Sequence, residues 1–265
     1  MPIASINDWV ASAKNYISLV KTAARTSIAA AWFSVFELAG NPGAGVLAGT
    51  STAAGVVPTD ATAGVPIIDA FGAGAVGYLA QIEFGSSVAC RMKLFDMLFK
   101  AGAYAFNANQ ALAAQPSYSS RVPGGTNFGD TQIWLEAVTA FTGNLSVAVT
   151  YTNQAGTAGR STGTVALGFA PTVGRLFQMP LQAGDTGVQK IDSVVATVAT
   201  VGTFNVLVLR PLWSGRCKVA NDGDVHDLFK TGMPVLYADS ALYLAISSDG
   251  ISSGVPELEY VVASL

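Results

Sequence analysis

From Leu79 onward the apolar residues of this chain fall at every second position, and that period constrains the fold more than any other feature. Val88, Cys90, Met92 and Leu94 alternate with Ala89, Arg91 and Lys93. Trp134, Glu136, Val138 and Ala140 alternate with Ile133, Leu135, Ala137 and Thr139, and Leu145, Val147, Val149 and Tyr151 with Ser146, Ala148, Thr150 and Thr152. Successive side chains of a strand point to opposite faces, so a period of two marks a strand with one buried face. Segments 164–170, 174–181, 188–201, 203–212, 236–247 and 257–263 have the same character. Turn-forming residues separate them: Thr142-Gly143-Asn144, the stretch 153–163, Ala183-Gly184-Asp185 and Ser248-Asp249-Gly250. This pattern predicts a mainly β domain over 79–265, an antiparallel β-sandwich of jelly-roll type. Residues 94–104 read as a short helix-like interruption.

The preceding residues follow other rules. Ile6, Trp9, Val10, Ala13, Ile17, Val20, Ala24 and Ile28 recur at spacings of three and four, with Ser5 or Asn7 able to cap the start. This predicts an N-terminal helix from about Ile6 to Glu37 within a segment 1–38, ending before Asn41-Pro42-Gly43. Its stripe suits packing on its own domain and docking on a neighbour equally. Residues 39–78 are rich in Gly, Ala, Thr and Val, with charge only at Asp60 and Asp69. Glycine-rich composition suggests a linker, but Val56, Val57, Ile67, Ile68 and Phe71 are too apolar for a free tether. An extended Gly/Ala-rich arm lying against another surface accounts for both. Trp9, Ile17 and Trp32 join these five as candidate interface residues, since tryptophan is enriched in binding hot spots.

Charge is scarce: 14 basic and 17 acidic residues make 12% of 265, about half the usual quarter. With 51% hydrophobic residues the chain is not intrinsically disordered. A net charge of −3 argues against direct nucleic-acid binding by blanket electrostatics. So little charge suggests a surface that something covers. A membrane span is not expected: the uncharged run 38–59 contains Asn41, Pro42 and Pro58, and 26–36 is too short. The first residues lack the basic start of a secretory signal and carry Asp8. Cys90 and Cys217, far apart in sequence, read as small buried hydrophobes of a reduced compartment.

Site chemistry is sparse. Asp222, Asp224 and Asp227 are weak candidates for a hard cation, but no glutamate closes the loop as calcium loops require. A solvated, turn-forming acidic loop is the expectation. His226 is the single histidine, and no G-x-S-x-G elbow accompanies it. Gly72-Ala-Gly-Ala-Val-Gly77 has dinucleotide-loop spacing without the βαβ context. Asp185, Asp192, Glu136, Glu257 and Glu259 are scattered singly, so a glycosidase dyad would need two to meet in space. No catalytic residue, cofactor or resident metal is expected.

Four strings carry a resemblance. Cys90-Arg-Met-Lys-Leu-Phe-Asp-Met-Leu-Phe-Lys-Ala-Gly102 resembles a strand feeding the L-[YF]-D-x-L-[WF] step of tailed-phage virion proteins. Trp134-Leu-Glu-Ala-Val-Thr139, leading to Val149-Thr-Tyr-Thr-Asn-Gln-Ala-Gly-Thr-Ala-Gly-Arg160, comes next. Gly174-Arg-Leu-Phe-Gln-Met-Pro-Leu-Gln-Ala-Gly-Asp-Thr-Gly-Val188 and Val206-Leu-Val-Leu-Arg-Pro-Leu212 complete the set. In this order, over about residues 79–215, they are similar to a group of phage structural proteins. The resemblance implies a non-enzymatic virion part, assembled in the host cytoplasm. The expectation is a capsid decoration or cement protein, its partners the major capsid protein and other copies of itself, a trimer by analogy. A tail tube, terminator or adaptor is the alternative, and a virion polysaccharide hydrolase the lesser one. With the arm as the docking element, removal of residues 1–70 is expected to leave a folded sandwich.

Overall fold

The computed structural model describes residues 3, 5–105, 109–167, 172–196 and 201–265. A short helix α1 (Ile6–Ala11) precedes strands β1 (Ala13–Lys21), β2 (Phe33–Ser34), β3 (Gly40–Asn41) and β4 (Ser51–Val56). Then come β5 (Gly77–Ser86), β6 (Cys90–Ala105), β7 (Asn109–Ala111), β8 (Gln132–Ala137), β9 (Leu145–Asn153), β10 (Arg160–Ser161) and β11 (Val165–Leu167). The chain continues through β12 (Leu176–Gln178), β13 (Val188–Ala196), β14 (Thr203–Cys217) and β15 (Asp222–His226). It ends with helix α2 (Leu228–Thr231), β16 (Val235–Leu236), β17 (Leu242–Ser248) and β18 (Pro256–Ser264).

These strands form three sheets. A terminal sheet runs β15-β5-β18-β1-β3 with β16 beside β5. A central sheet runs β12-β8-β14-β6-β17-β2 with β4 also on β6. A distal sheet runs β10-β9-β13-β7 with β11 beside β9. The pairings are antiparallel, so the chain is mainly β and a sandwich, as its alternation predicts.

β6 and β14 organise the whole. They pair from Cys90–Cys217 to Ala105–Thr203, and the 16 residues of β6 reach about 50 Å at roughly 3.3 Å each. One half, with Cys90, Met92, Leu94, Trp213 and Cys217, packs on Leu79, Ile82, Leu258 and Tyr260 of the terminal sheet. The other half, with Leu98, Phe99, Ala101, Val206 and Val208, packs on Val149, Tyr151, Ile191 and Val194 of the distal sheet. Register shifts between Val208 and Leu209 and between Pro211 and Trp213 separate the halves. Such bulges bend a strand and change which residues face a given side.

At this junction Asp96 is fully buried, ion-paired to Arg121 and, at 3.1 Å, to Arg210. It also accepts from Ser240 Oγ at 2.9 Å and the Ala241 amide at 3.0 Å. A buried carboxylate with two guanidiniums and two further donors is satisfied; removing it would strand both cations.

Several expectations are corrected. The N-terminal helix ends at Ala11 instead of near Glu37, and residues 13–21 form β1, paired to β18 from Ala13–Ser264 to Val20–Glu257. Ile17, Leu19 and Lys21 are buried while Tyr16 is 76% exposed, so the period here is two. An apolar set dense enough to satisfy spacings of three and four also satisfies two, and pairing with β18 decides. Residues 94–104 are strand, not helix-like: Phe95 and Met97 are buried on one side of the sheet and Phe99 and Ala101 on the other, which erases alternation. Candidate strand 164–170 is described to residue 167 and 188–201 to 196; positions 168–170 and 197–200 lie outside the described residues.

The arm, 39–78, folds onto its own body. Phe36 and Val65 join Phe95, Met97, Trp134, Leu207 and Tyr243 in a third core. Side chains from outside the arm bond backbone groups at intervals from Leu38 to Pro58. Lys21 Nζ donates to the Leu38 and Pro42 carbonyls, each at 3.1 Å, and Lys100 Nζ to Val46 at 2.9 Å. Asn205 donates to Leu47 at 2.6 Å and accepts from the Gly49 amide at 2.8 Å. Tyr104 reaches Thr52 at 2.8 Å, and Arg121 reaches the Pro58 carbonyl. A loop without regular pairing can lie over a core when its polar groups find such partners. β1 belongs to the terminal sheet and the arm covers the central one, so residues 1–70 are part of the body rather than an appendage to it.

Candidate interaction surfaces

The structure spreads the predicted interface residues over different environments. Ile17 and Ile68 lie in the core, 4% and 3% exposed. Val56 and Val57 are half-buried, with Val57 against the distal core, and half-buried Phe71 packs on the terminal core. Trp32 is half-buried beside the third core with Lys93 Nζ 4.9 Å from its ring, while Ile67 is 72% exposed. Trp9 is half-buried on α1, which buries none of its residues and leaves Ile6 and Val10 70% and 73% exposed. The candidates therefore form no single surface; most are internal contacts.

The acidic segment is an edge strand, not a loop. Residues 222–226 pair with β5 from Asp222–Ser86 to His226–Ile82. Asp224 lies 3.6 Å from both Lys230 Nζ and His226 Nε2. Its carboxyl is held below the ordinary range, chiefly by the Val225 amide, with help from the Lys230 ammonium. Asp227 instead caps α2, accepting from the Phe229 and Lys230 amides. Asp222 accepts from the Gly223 amide. Among the described residues no cluster of three or more acidic, histidine or cysteine side chains could hold a metal. His226 Nδ1 accepts from Trp213 Nε1 at 2.9 Å, and its ring packs edge-on against Phe84.

Cys90 and Cys217, 127 positions apart in sequence, are directly opposed across β6 and β14 and both buried. Burial pushes both thiols up, that of Cys217 to about 12, so they stay protonated. Gly72–Gly77 leads into strand β5, without the helix a dinucleotide loop feeds.

One open groove of about 500 Å³ does bring carboxylates together: Glu83, Asp222, Glu257 and Glu259 line it, with Ser86, Ser87 and Asn221. Glu83 and Glu259 are direct cross-strand partners. The three glutamates are exposed to water on a sheet face. A glycosidase acid needs a sheltered carboxyl; this groove offers a concentration of negative charge instead. Sequence reasoning considered Glu257 and Glu259 singly and did not include Glu83, because their adjacency depends on the register between β5 and β18.

The opposite exterior has the opposite sign. Arg91 and Arg216 are direct partners across β6 and β14, with Lys93 two residues on, and both arginines are exposed. Burial lowers the Lys93 ammonium, which lies over Trp32 and, at 5.6 Å, Trp134.

No family model matches this chain, and no curated protein matches it. Among solved structures, infectious bursal disease virus (Gx strain) aligns over 96% of this chain and 80% of its own at 9% identity, with a TM-score of 0.17. The VP2 subviral particle of that virus aligns over the same shares at 9% identity and a TM-score of 0.20. At such scores neither alignment establishes a shared fold or role. Among the described residues, no helix is long and apolar enough to cross a membrane.

Proposed function

We propose that this chain is a non-enzymatic structural protein of a tailed-phage particle, a capsid decoration protein that binds the major capsid protein on the shell surface. The observation that carries the reading is the ordered run of phage-like strings from Cys90 to Leu212. The surface supports it: α1 buries none of its residues and exposes Ile6 and Val10, capped by Ser5 and braced by Lys14, whose Nζ donates to the Ser12 carbonyl at 2.8 Å. Exposed apolar residues on a small surface helix are what a docking partner would cover. The docking element is thus α1 rather than the arm. Purified particles of the encoding virus test the proposal, by mass spectrometry and a low-resolution map. Copies spread over the whole shell are expected, and lost when residues 1–11 are removed. Copies confined to the tail or neck would move the protein to the tail alternative, and its absence from the particle would overturn the proposal.

A further inference from the structure

The terminal half of the molecule is electrically polarised across its thickness. On the outward face of the terminal sheet Glu83 and Glu259 sit directly opposite one another, with Glu257 beside them. Lys14 of β1 is drawn away to the carbonyls at the end of α1, and Lys21, the other lysine of that strand, is buried. On the outward face of the central sheet, across the same core, Arg91 sits directly opposite Arg216, with Lys93 adjacent. Like charges directly opposed across a strand pair destabilise it. Glu83, Glu257, Glu259 and Arg91 take part in no ion pair among the described residues, and Arg216 reaches Asp249 only at 3.9 Å with both half exposed. A chain with 31 charged residues, from 14 basic and 17 acidic, thus keeps two like-charge cross-strand pairs of opposite sign on opposite exteriors of one sandwich. Each face also offers an aromatic residue, Tyr16 at 76% exposure on the acidic side and half-buried Trp32 on the basic side.

We infer that copies of this chain associate head to tail, the Glu83–Glu257–Glu259 face of one copy against the Arg91–Lys93–Arg216 face of the next. Contact between the faces offsets the two repulsive pairs with attraction between copies, and Tyr16 and Trp32 supply the amphipathic anchors common at interfaces. Two different patches meeting make a heterologous contact, which continues beyond a dimer into a closed ring or an open stack. The inference goes beyond the proposed function, because it concerns copy-to-copy contact whichever particle carries the protein.

The test uses the full chain, with its mass measured by light scattering at roughly 0.01 M and 1 M ionic strength, where screening lengths are about 30 Å and 3 Å. The expected result is a mass above the dimer at low ionic strength that falls towards the monomer at high. Glu83→Lys with Glu259→Lys, and separately Arg91→Glu with Arg216→Glu, should each be monomeric. An equimolar mixture of the two reversed proteins should regain assembly, since each then presents what the other lacks. Circular dichroism confirms folding. If a reversed protein does not fold, Glu83→Gln with Glu259→Gln and Arg91→Gln with Arg216→Gln replace it, and each should lower the low-salt mass. A wild-type chain that is monomeric in both conditions or stops at a dimer overturns the inference. So do folded variants that keep the wild-type mass, or folded reversed proteins that do not co-assemble.

Discussion

The two halves of this molecule share β6 and β14 yet finish their exteriors differently. At the distal end polar groups are matched within the chain. Thr150 and Ser193 hydroxyls meet at 2.5 Å, Thr152 donates to Asp192 at 3.1 Å, and Lys190 lies 3.7 Å from Asp192. Asp185 is held by Tyr151 at 2.7 Å, Asn153 at 2.7 Å and Arg160 at 2.9 Å. At the terminal end Glu83 faces Glu259 and Arg91 faces Arg216. Both ends bury comparable apolar cores, so the contrast lies in surface electrostatics. A face whose charges are matched internally is complete as it stands. A face that sets like against like is a fold-level cost, relieved by a partner of opposite sign.

The strongest way to break this comparison is to ask whether the ends are one cooperative unit. Asp96 joins them, binding Arg121 and Arg210 in the junction. Asp96→Ala should lower unfolding stability by about 3–5 kcal/mol, because two buried guanidiniums lose their counter-ion. Urea unfolding measures it. The loss should appear in one transition, followed equally by probes near Trp213 in the terminal core and Tyr151 in the distal core. Two separated transitions would mean that the halves are independent domains and that their surfaces need not be compared within one fold.

The sequence reveals the distal end better than the terminal one, for a physical reason. β9 and β13 each bury one face, so alternation shows in Val147, Val149 and Tyr151. β6 is covered on both faces through its middle, so Phe95, Met97, Leu98 and Phe99 are all buried around the charged Asp96 and show no period of two. β1 hides because Lys21, a buried lysine whose ammonium is lowered by desolvation, occupies a core position where an apolar residue would signal a strand. The arm is misread as reaching for a neighbour because its partners, Lys100, Asn205 and Arg121, lie far away in sequence. The charged faces are legible only in register: nothing in the spacing of Glu83 and Glu259, or of Arg91 and Arg216, says that they are opposed.

A smaller effect sharpens the claim that the distal end is self-matched. The Arg160 guanidinium, then Asn153 and Tyr151, hold the Asp185 carboxyl down at about 2. A carboxyl lowered on folding contributes stability that is fully present above its unfolded pKa of about 3.9 and is lost as pH falls through the folded value. Stability of the wild type should therefore drop between about pH 4 and pH 2, and Asp185→Asn should flatten that part of the profile. Chemical denaturation at a series of pH values checks it. An unchanged slope would mean that the distal network does not hold its charge.

The smallest effect carries the sharpest contrast, because its sign differs between the ends. Glu83→Gln keeps the shape of the side chain and removes one half of a like-charge pair with Glu259. Made in the monomeric Arg91→Glu, Arg216→Glu background at low salt, where no partner covers the glutamates, it should stabilise the fold by about 0.2–1 kcal/mol. At the distal end, Thr150→Ala removes one half of a matched pair with Ser193 and should destabilise, by about 0.5–1.5 kcal/mol. Thermal melts of both variants at low and high ionic strength decide the matter. Salt should erase the gain of Glu83→Gln, since screening already weakens the repulsion it relieves, and should leave the loss of Thr150→Ala unchanged. If Glu83→Gln destabilises instead, the glutamate face is matched by contacts of its own, and the electrostatic difference between the two ends disappears.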